Sequence, residues 1–177
     1  MKLIKLTASS LLLFCFVLSF SSCERDAEQK IVTDFSKSGI VLTGANEVPA
    51  VPSPALGTMD VYYTRETRIL SYTVNWSGLT DSVLLMHIHG LAPTGFAAGV
   101  IQTIIGTSNS IFPQKTSGKY TFAKTGTLSG TLLIDGVAVK EENLLNGQYY
   151  MNIHTNGINP NGGTYSGGEI RGQIRFQ

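Results

Sequence analysis

The chain has 177 residues, of which 42% are hydrophobic and 14% charged, and its formal net charge is +1 at neutral pH. Nucleic-acid binding requires a concentrated basic surface, so this balance predicts no nucleic-acid partner. Both cysteines, Cys15 and Cys23, lie near the amino terminus, so we expect stability to come from a buried core rather than from a disulfide.

The first 22 residues have the pattern of a secretory signal peptide. Lys2 and Lys5 form a basic start, and the apolar run 11–18 is shorter than a membrane-spanning helix requires. Residues 20–23, Phe-Ser-Ser-Cys, resemble a bacterial lipoprotein box with Phe in place of the usual Leu, which implies a lipid on Cys23. We therefore expect a signal peptide at 1–22 and a lipid-anchored protein of the cell envelope, in the outer membrane and facing the periplasm or the cell surface. The alternative is an uncleaved anchor helix.

The remaining chain suits one domain. Cleavage before Cys23 would remove Lys2 and Lys5 and leave 11 basic against 12 acidic groups. We interpret residues 23–36 as a polar tether, because they lack hydrophobic periodicity, and residues 37–177 as the folded domain.

Short segments of alternating hydrophobicity follow one another along this domain. Residues 57–63 and 69–76 predict a hairpin, and 126–134 and 169–176 predict two further strands. Residues 140–147 contain the one credible helix, ended by Gly147. About eight short strands with at most one short helix predict an all-β fold, either an antiparallel β-sandwich or a Greek-key barrel.

The three histidines occupy two of the predicted strands. His87 and His89 alternate with Met86 and Ile88, and His154 follows the same alternation in a second strand. Because side chains on a strand alternate between its faces, all three imidazoles are predicted to lie opposite the apolar core. Asn152 shares the face of His154 and is a candidate for a supporting or structural role beside it.

An H-x-H pair presents two imidazoles on one face of a strand, and neutral imidazole is a ligand for Cu and Zn. A third histidine from another strand would complete a mononuclear site, for which His87, His89 and His154 are the candidate ligands. The alternative is structural, with the histidines hydrogen-bonding long loops over the outer face. The pattern leaves open whether His154 lies near the other two.

Glu169 and Arg171 are oppositely charged neighbours on the outward face of the last predicted strand. They are expected to form a solvated pair of little energetic value, or else to orient a histidine from behind. Three tyrosines, Tyr62, Tyr150 and Tyr165, are candidates for exposed contacts with a protein or glycan partner.

Four motifs in this order resemble the CHRD domain, which is named for its repeats in chordin. They are Glu-Val-Pro-Ala-Val at 47–51, His-Ile-His-Gly at 87–90, Tyr-Met-Asn-Ile-His-Thr at 150–155 and Gly-Glu-Ile-Arg-Gly-Gln-Ile at 168–174. The resemblance covers about 39–176, and it departs from the family in the longer loop 159–166. It implies an extracytoplasmic β-domain without a settled activity.

No nucleophile–base motif, paired carboxylates or cofactor fingerprint is evident in the sequence. The sequence therefore favours a non-enzymatic binding or scaffolding module, with a mononuclear copper or zinc protein, or a redox enzyme of that kind, as the alternative.

Replacing Cys23 with serine should abolish labelling by radioactive palmitate and release the protein from membranes, because the lipid would be the anchor. Fractionation of cells expressing either form measures this. Unchanged membrane retention of the variant would instead indicate the uncleaved helix.

Overall fold

A computed structural model describes residues 32–106, 111–113 and 123–177. The predicted signal peptide, Cys23 and tether residues 23–31 lie outside the described residues. The described elements are strands β1 (Asp34–Thr43), β2 (Leu56–Thr64), β3 (Ile69–Ser77), β4 (Val83–Gly90), β5 (Val100–Gly106), β6 (Phe112–Pro113), β7 (Gly126–Leu133), β8 (Tyr149–Thr155) and β9 (Ile170–Ile174), helix α1 (Glu141–Leu145), and 3-10 turns at Gly44–Asn46 and Tyr165–Gly167.

The strands form one sheet in the order β6-β5-β4-β8-β9-β1-β2-β3-β7. All neighbours pair antiparallel except the two-residue β6, which pairs parallel with β5. Gln102 of β5 accepts from the Tyr72 hydroxyl of β3 at 3.1 Å and donates to the Thr131 carbonyl of β7 at 2.8 Å. These bonds draw the two ends of the sheet together into a nearly closed barrel, and the predicted all-β class is confirmed.

The interior of the barrel is one apolar core. Its members alternate along the strands as predicted, and the fully buried ones include Met59, Tyr63, Leu70, Val74, Met86, Ile88, Met151, Ile153, Ile170 and Ile174. The alternation in β4 predicts Leu84 on the face of Met86 and Ile88, but the register shifts between Val83 and Leu85, and Val83 enters the core instead. The predicted hairpin is formed by β2 and β3.

Two boundaries are defined by local contacts. Strand β1 begins at Asp34, three residues before the predicted domain start, because residues 34–37 pair with β2 and the Phe35 ring stacks 6.1 Å from that of Tyr63. Helix α1 ends as predicted, with Gly147 in the left-handed region at φ 68°. No helix in the described ranges is long and apolar enough to cross a membrane.

Truncation of the core tryptophan tests the alternation. Trp76 is buried, its Nε1 donates to the Ala123 carbonyl at 2.9 Å, and its ring lies against Gly126. Trp76→Ala should lower the free energy of unfolding by about 3–5 kcal/mol. The exposed neighbour Asn75 is the control, and Asn75→Ala should change it by less than about 0.5 kcal/mol. Urea titration measures both values, and equal losses would contradict the alternation.

Candidate metal centre

The two histidine strands lie side by side in the sheet. In the antiparallel pairing of β4 with β8, His87 lies opposite Asn152 and His89 opposite Tyr150. Met86 and Ile88, which alternate with the histidines, enter the core. His87, His89, Asn152 and His154 therefore project together from the outer face of the barrel.

One ring nitrogen from each histidine lies within 4.8 Å of one from each of the other two. His87 Nδ1 is 3.2 Å from His154 Nε2. The exposed fractions of His87, His89 and His154 are 8%, 8% and 6%, so this face is buried although it lies opposite the core. The histidines meet as the metal hypothesis requires, and they also bond to the loops as the structural alternative requires.

Two backbone carbonyls from the loops set the tautomers of two histidines. His89 Nδ1 is 3.0 Å from the Ala98 carbonyl, and His154 Nδ1 is 2.8 Å from the Ser166 carbonyl. A carbonyl only accepts hydrogen bonds, so each Nδ1 carries the proton. In the neutral rings, both Nε2 atoms therefore present a lone pair.

Burial keeps the imidazoles neutral at physiological pH. It lowers the pKa of His87 to about 4, with smaller contributions from the neighbouring His154 and His89. Burial also lowers the pKa of His89 and of His154, against the opposing effect of their bonds to carbonyls. Neutral imidazole is the form that ligates metals.

Asn152 lies between His89 of β4 and His154 of β8. Its Oδ1 is 3.0 Å from His89 Nε2 and 2.9 Å from His154 Nε2. The sequence predicts a supporting or structural role for Asn152 on the face of His154, and the structure places its Oδ1 beside two histidine nitrogens.

Arg171 acts on the site through an aromatic ring. Its guanidinium lies 3.4 Å from the centroid of Tyr150, whose ring stacks on His89 with centroids 4.8 Å apart and planes at 3°. Arg171 also donates to the Phe96 carbonyl at 2.8 Å. It thus holds the orientation of His89 from behind, with Tyr150 in between.

The prediction of a solvated Glu169–Arg171 pair is wrong. The two side chains are 0% and 2% exposed, because the loops pack over this part of β9. Glu169 accepts hydrogen bonds from Ser53 Oγ, the Thr80 backbone N–H and hydroxyl, and Thr155 Oγ1 at 2.5–3.0 Å. Its role is to join loops to β8 rather than to orient a histidine.

Glu47 is a member of the site that sequence reasoning missed. It is 7% exposed, and burial raises its pKa to about 7, against the effects of Arg171, of a hydrogen bond from the Asn152 side chain and of one from the Val48 backbone. Gly168, at φ 132°, leaves the space for it, since a Cβ there would lie 2.3 Å from Glu47 Oε1. Glu47 is the first residue of the first of the four motifs, and this position was the sequence signal that could have identified it as a site residue.

The tyrosines are placed differently from one another. Tyr62 is exposed as expected, with its hydroxyl donating to Asp34 at 2.6 Å. Tyr150 and Tyr165 are buried, so they are not exposed partner contacts; the Tyr165 hydroxyl donates to the Pro52 carbonyl. The expectation of exposure is wrong for these two because the loops cover them.

Comparison with known proteins gives one match. A model of the CHRD domain family matches residues 39–174. No curated protein and no solved structure matches the chain. The matched range contains every residue of the candidate metal centre, and the chain belongs to the CHRD domain family.

Proposed function

We propose that this CHRD domain is a lipid-anchored binding module of the cell envelope, and that its site holds one copper or zinc ion through His87, His89 and His154. The observation that supports this function is the convergence of one nitrogen from each histidine within 4.8 Å. The lipid anchor rests on Cys23 and the signal pattern before it. Protein or glycan partners at the envelope remain compatible with this proposal.

The side chains have to move closer together to accept an ion. Histidine nitrogens lie about 2.0–2.1 Å from zinc, so two ligands of one ion are at most about 4.2 Å apart. In a tetrahedral centre the separation is about 3.4 Å, so a nitrogen pair 4.8 Å apart would have to close by about 1.4 Å through movement of the side chains. The carbonyls of Ala98 and Ser166 already accept the Nδ1 protons, as outer partners of metal-bound histidines commonly do.

The competing account is that the same histidines serve only as hydrogen-bonded ties between β4, β8 and the loops. Both accounts share the contacts to Ala98 and Ser166. They differ in whether the neutral site takes up a cation, so saturable metal binding discriminates between them.

The mature chain should bind Cu(II) or Zn(II) at one equivalent. We would use residues 23–177 without a histidine tag and with Cys23→Ser, so that no thiol competes and the three histidines are the only ones present. Each His→Ala variant should weaken binding by more than about tenfold, since even outer partners of ligands are worth 10–100-fold. Titration calorimetry measures this, with Asn75→Ala as the control. Absence of saturable binding would refute the metal site.

Bound metal should also stabilise the fold, because the unfolded chain does not hold the three imidazoles together. Zinc at a hundred times its dissociation constant should raise the free energy of unfolding by about 2.7 kcal/mol. Urea titration with and without a chelator measures the increment. The His87→Ala variant should lose it, and an equal increment in that variant would place the bound ion elsewhere.

A further inference from the structure

We infer that Asn152 supplies the fourth ligand of the site through its side-chain oxygen, and that Glu47 holds the amide in the orientation that presents this oxygen to the ion. The inference rests on the proposed metal function and adds two residues to the histidines. It also changes what the site does, because a fourth protein ligand leaves no position for a reactive water.

The side-chain oxygen of Asn152 already faces the ligand nitrogens. Asn152 Oδ1 lies 3.0 Å from His89 Nε2 and 2.9 Å from His154 Nε2. In a tetrahedral centre with bonds of about 2.1 Å, neighbouring ligand atoms are separated by about 3.4 Å. The present spacing is therefore close to that of atoms sharing one ion.

Asn152 Oδ1 and the Nε2 atoms of His89 and His154 carry no proton with which they could hydrogen-bond to one another. The Nδ1 protons of His89 and His154 are directed at the carbonyls of Ala98 and Ser166, so both Nε2 atoms are acceptors, as is an amide oxygen. A proton on His87 Nδ1, 3.2 Å from His154 Nε2, would satisfy that ring only. His89 Nε2 and Asn152 Oδ1 would still face each other as two acceptors, and a cation between them removes the conflict.

Turning the amide by a half-rotation would direct its N–H groups at the histidines, and Glu47 opposes this. With Oδ1 directed at the two histidines, the Asn152 nitrogen points away from them, and the Asn152 side chain lowers the pKa of Glu47 as a hydrogen-bond donor would. Turned around, Asn152 would direct an oxygen at the Glu47 carboxyl group, which is unfavourable whenever that group is ionised, as it mostly is above its pKa of about 7. Glu47 Oε1 has no hydrogen-bond partner among the described residues, so this buried group favours a neighbouring donor over a second acceptor.

Three imidazoles and one amide oxygen make a closed tetrahedral set. Structural zinc sites are closed by four protein ligands, whereas catalytic ones keep one position for water. The ligand set of His87, His89, His154 and Asn152 therefore assigns the site to retention of an ion rather than to metal-assisted hydrolysis.

Co(II), a coloured substitute for Zn(II), tests the coordination in the mature Cys23→Ser chain. The loaded protein should show a tetrahedral visible spectrum that excess azide leaves unchanged. Asn152→Leu, which keeps the volume and removes the oxygen, should admit water and make the spectrum respond to azide. Asn152→Asp, which keeps an oxygen, should remain insensitive to azide.

Glu47→Gln tests the positioning role. Glutamine can donate to Asn152 Oδ1 as well as accept from its nitrogen and carries no charge, so it no longer selects one amide orientation, and affinity for Co(II) and Zn(II) should fall about 10–100-fold. Glu142→Gln, at an exposed site, should bind like the unchanged chain.

The outcomes separate the two hypotheses. Failure of the unchanged chain to bind Co(II) or Zn(II) would overturn the proposed function. If the unchanged chain binds the metal but azide shifts its spectrum, the assignment of Asn152 as the fourth ligand is overturned. If Glu47→Gln binds the metal as tightly as the unchanged chain, the positioning role of Glu47 is overturned. Neither result overturns the proposed function. If Asn152→Leu fails to fold, the azide response of the unchanged chain still tests the fourth ligand, and the metal affinity of Glu47→Gln still tests the positioning role.

Discussion

A buried polar layer on the outer face of β4, β8 and β9 sets the constraint on which the rest of this structure depends. The inner face of these strands is the apolar core, but Asn152, His154 and Arg171 on the other face are also shielded from water. Burying polar groups costs free energy unless each finds a hydrogen-bond partner. The loops satisfy this need with inward-facing backbone carbonyls, among them those of Phe96 and Ala98.

The same requirement explains how long loops are held in an otherwise simple barrel. Glu169 gathers donors from Ser53, Thr80 and Thr155, so one carboxylate joins three separate segments. Gln173 donates to the carbonyls of Ala92 and Gly147 at 2.9 and 2.7 Å. Removing one such side chain would leave several buried groups unpaired at once, which costs more than the loss of a single bond. The loops are thus part of the fold rather than additions to it.

Residues from all four CHRD motifs meet in this buried polar layer. Glu47 of the first motif fits against Gly168 of the fourth and has its pKa lowered by Asn152 of the third, while His87 and His89 come from the second. Arg171 stabilises the stack of Tyr150 on His89 and attracts the Glu47 carboxylate. Hydrogen bonds that stabilise the covering loops also set the tautomers of two histidines. Loop anchoring and preparation of the site are therefore the same set of interactions, which is how binding sites are commonly preorganised.

The alternation of apolar residues determined much of this protein by itself. It placed Leu70, Val74 and Trp76 in the core, predicted an all-β fold with one short helix, and put the three histidines on the face opposite the core. Alternation reports which face a side chain takes but not what covers that face, so the burial of Glu169 and Arg171 was not predictable. Nor does it report which strands are neighbours. His87 and His154 are 67 residues apart in the sequence, and only the pairing of β4 with β8 brings them together. Such long-range contacts are decided by how the whole sheet closes.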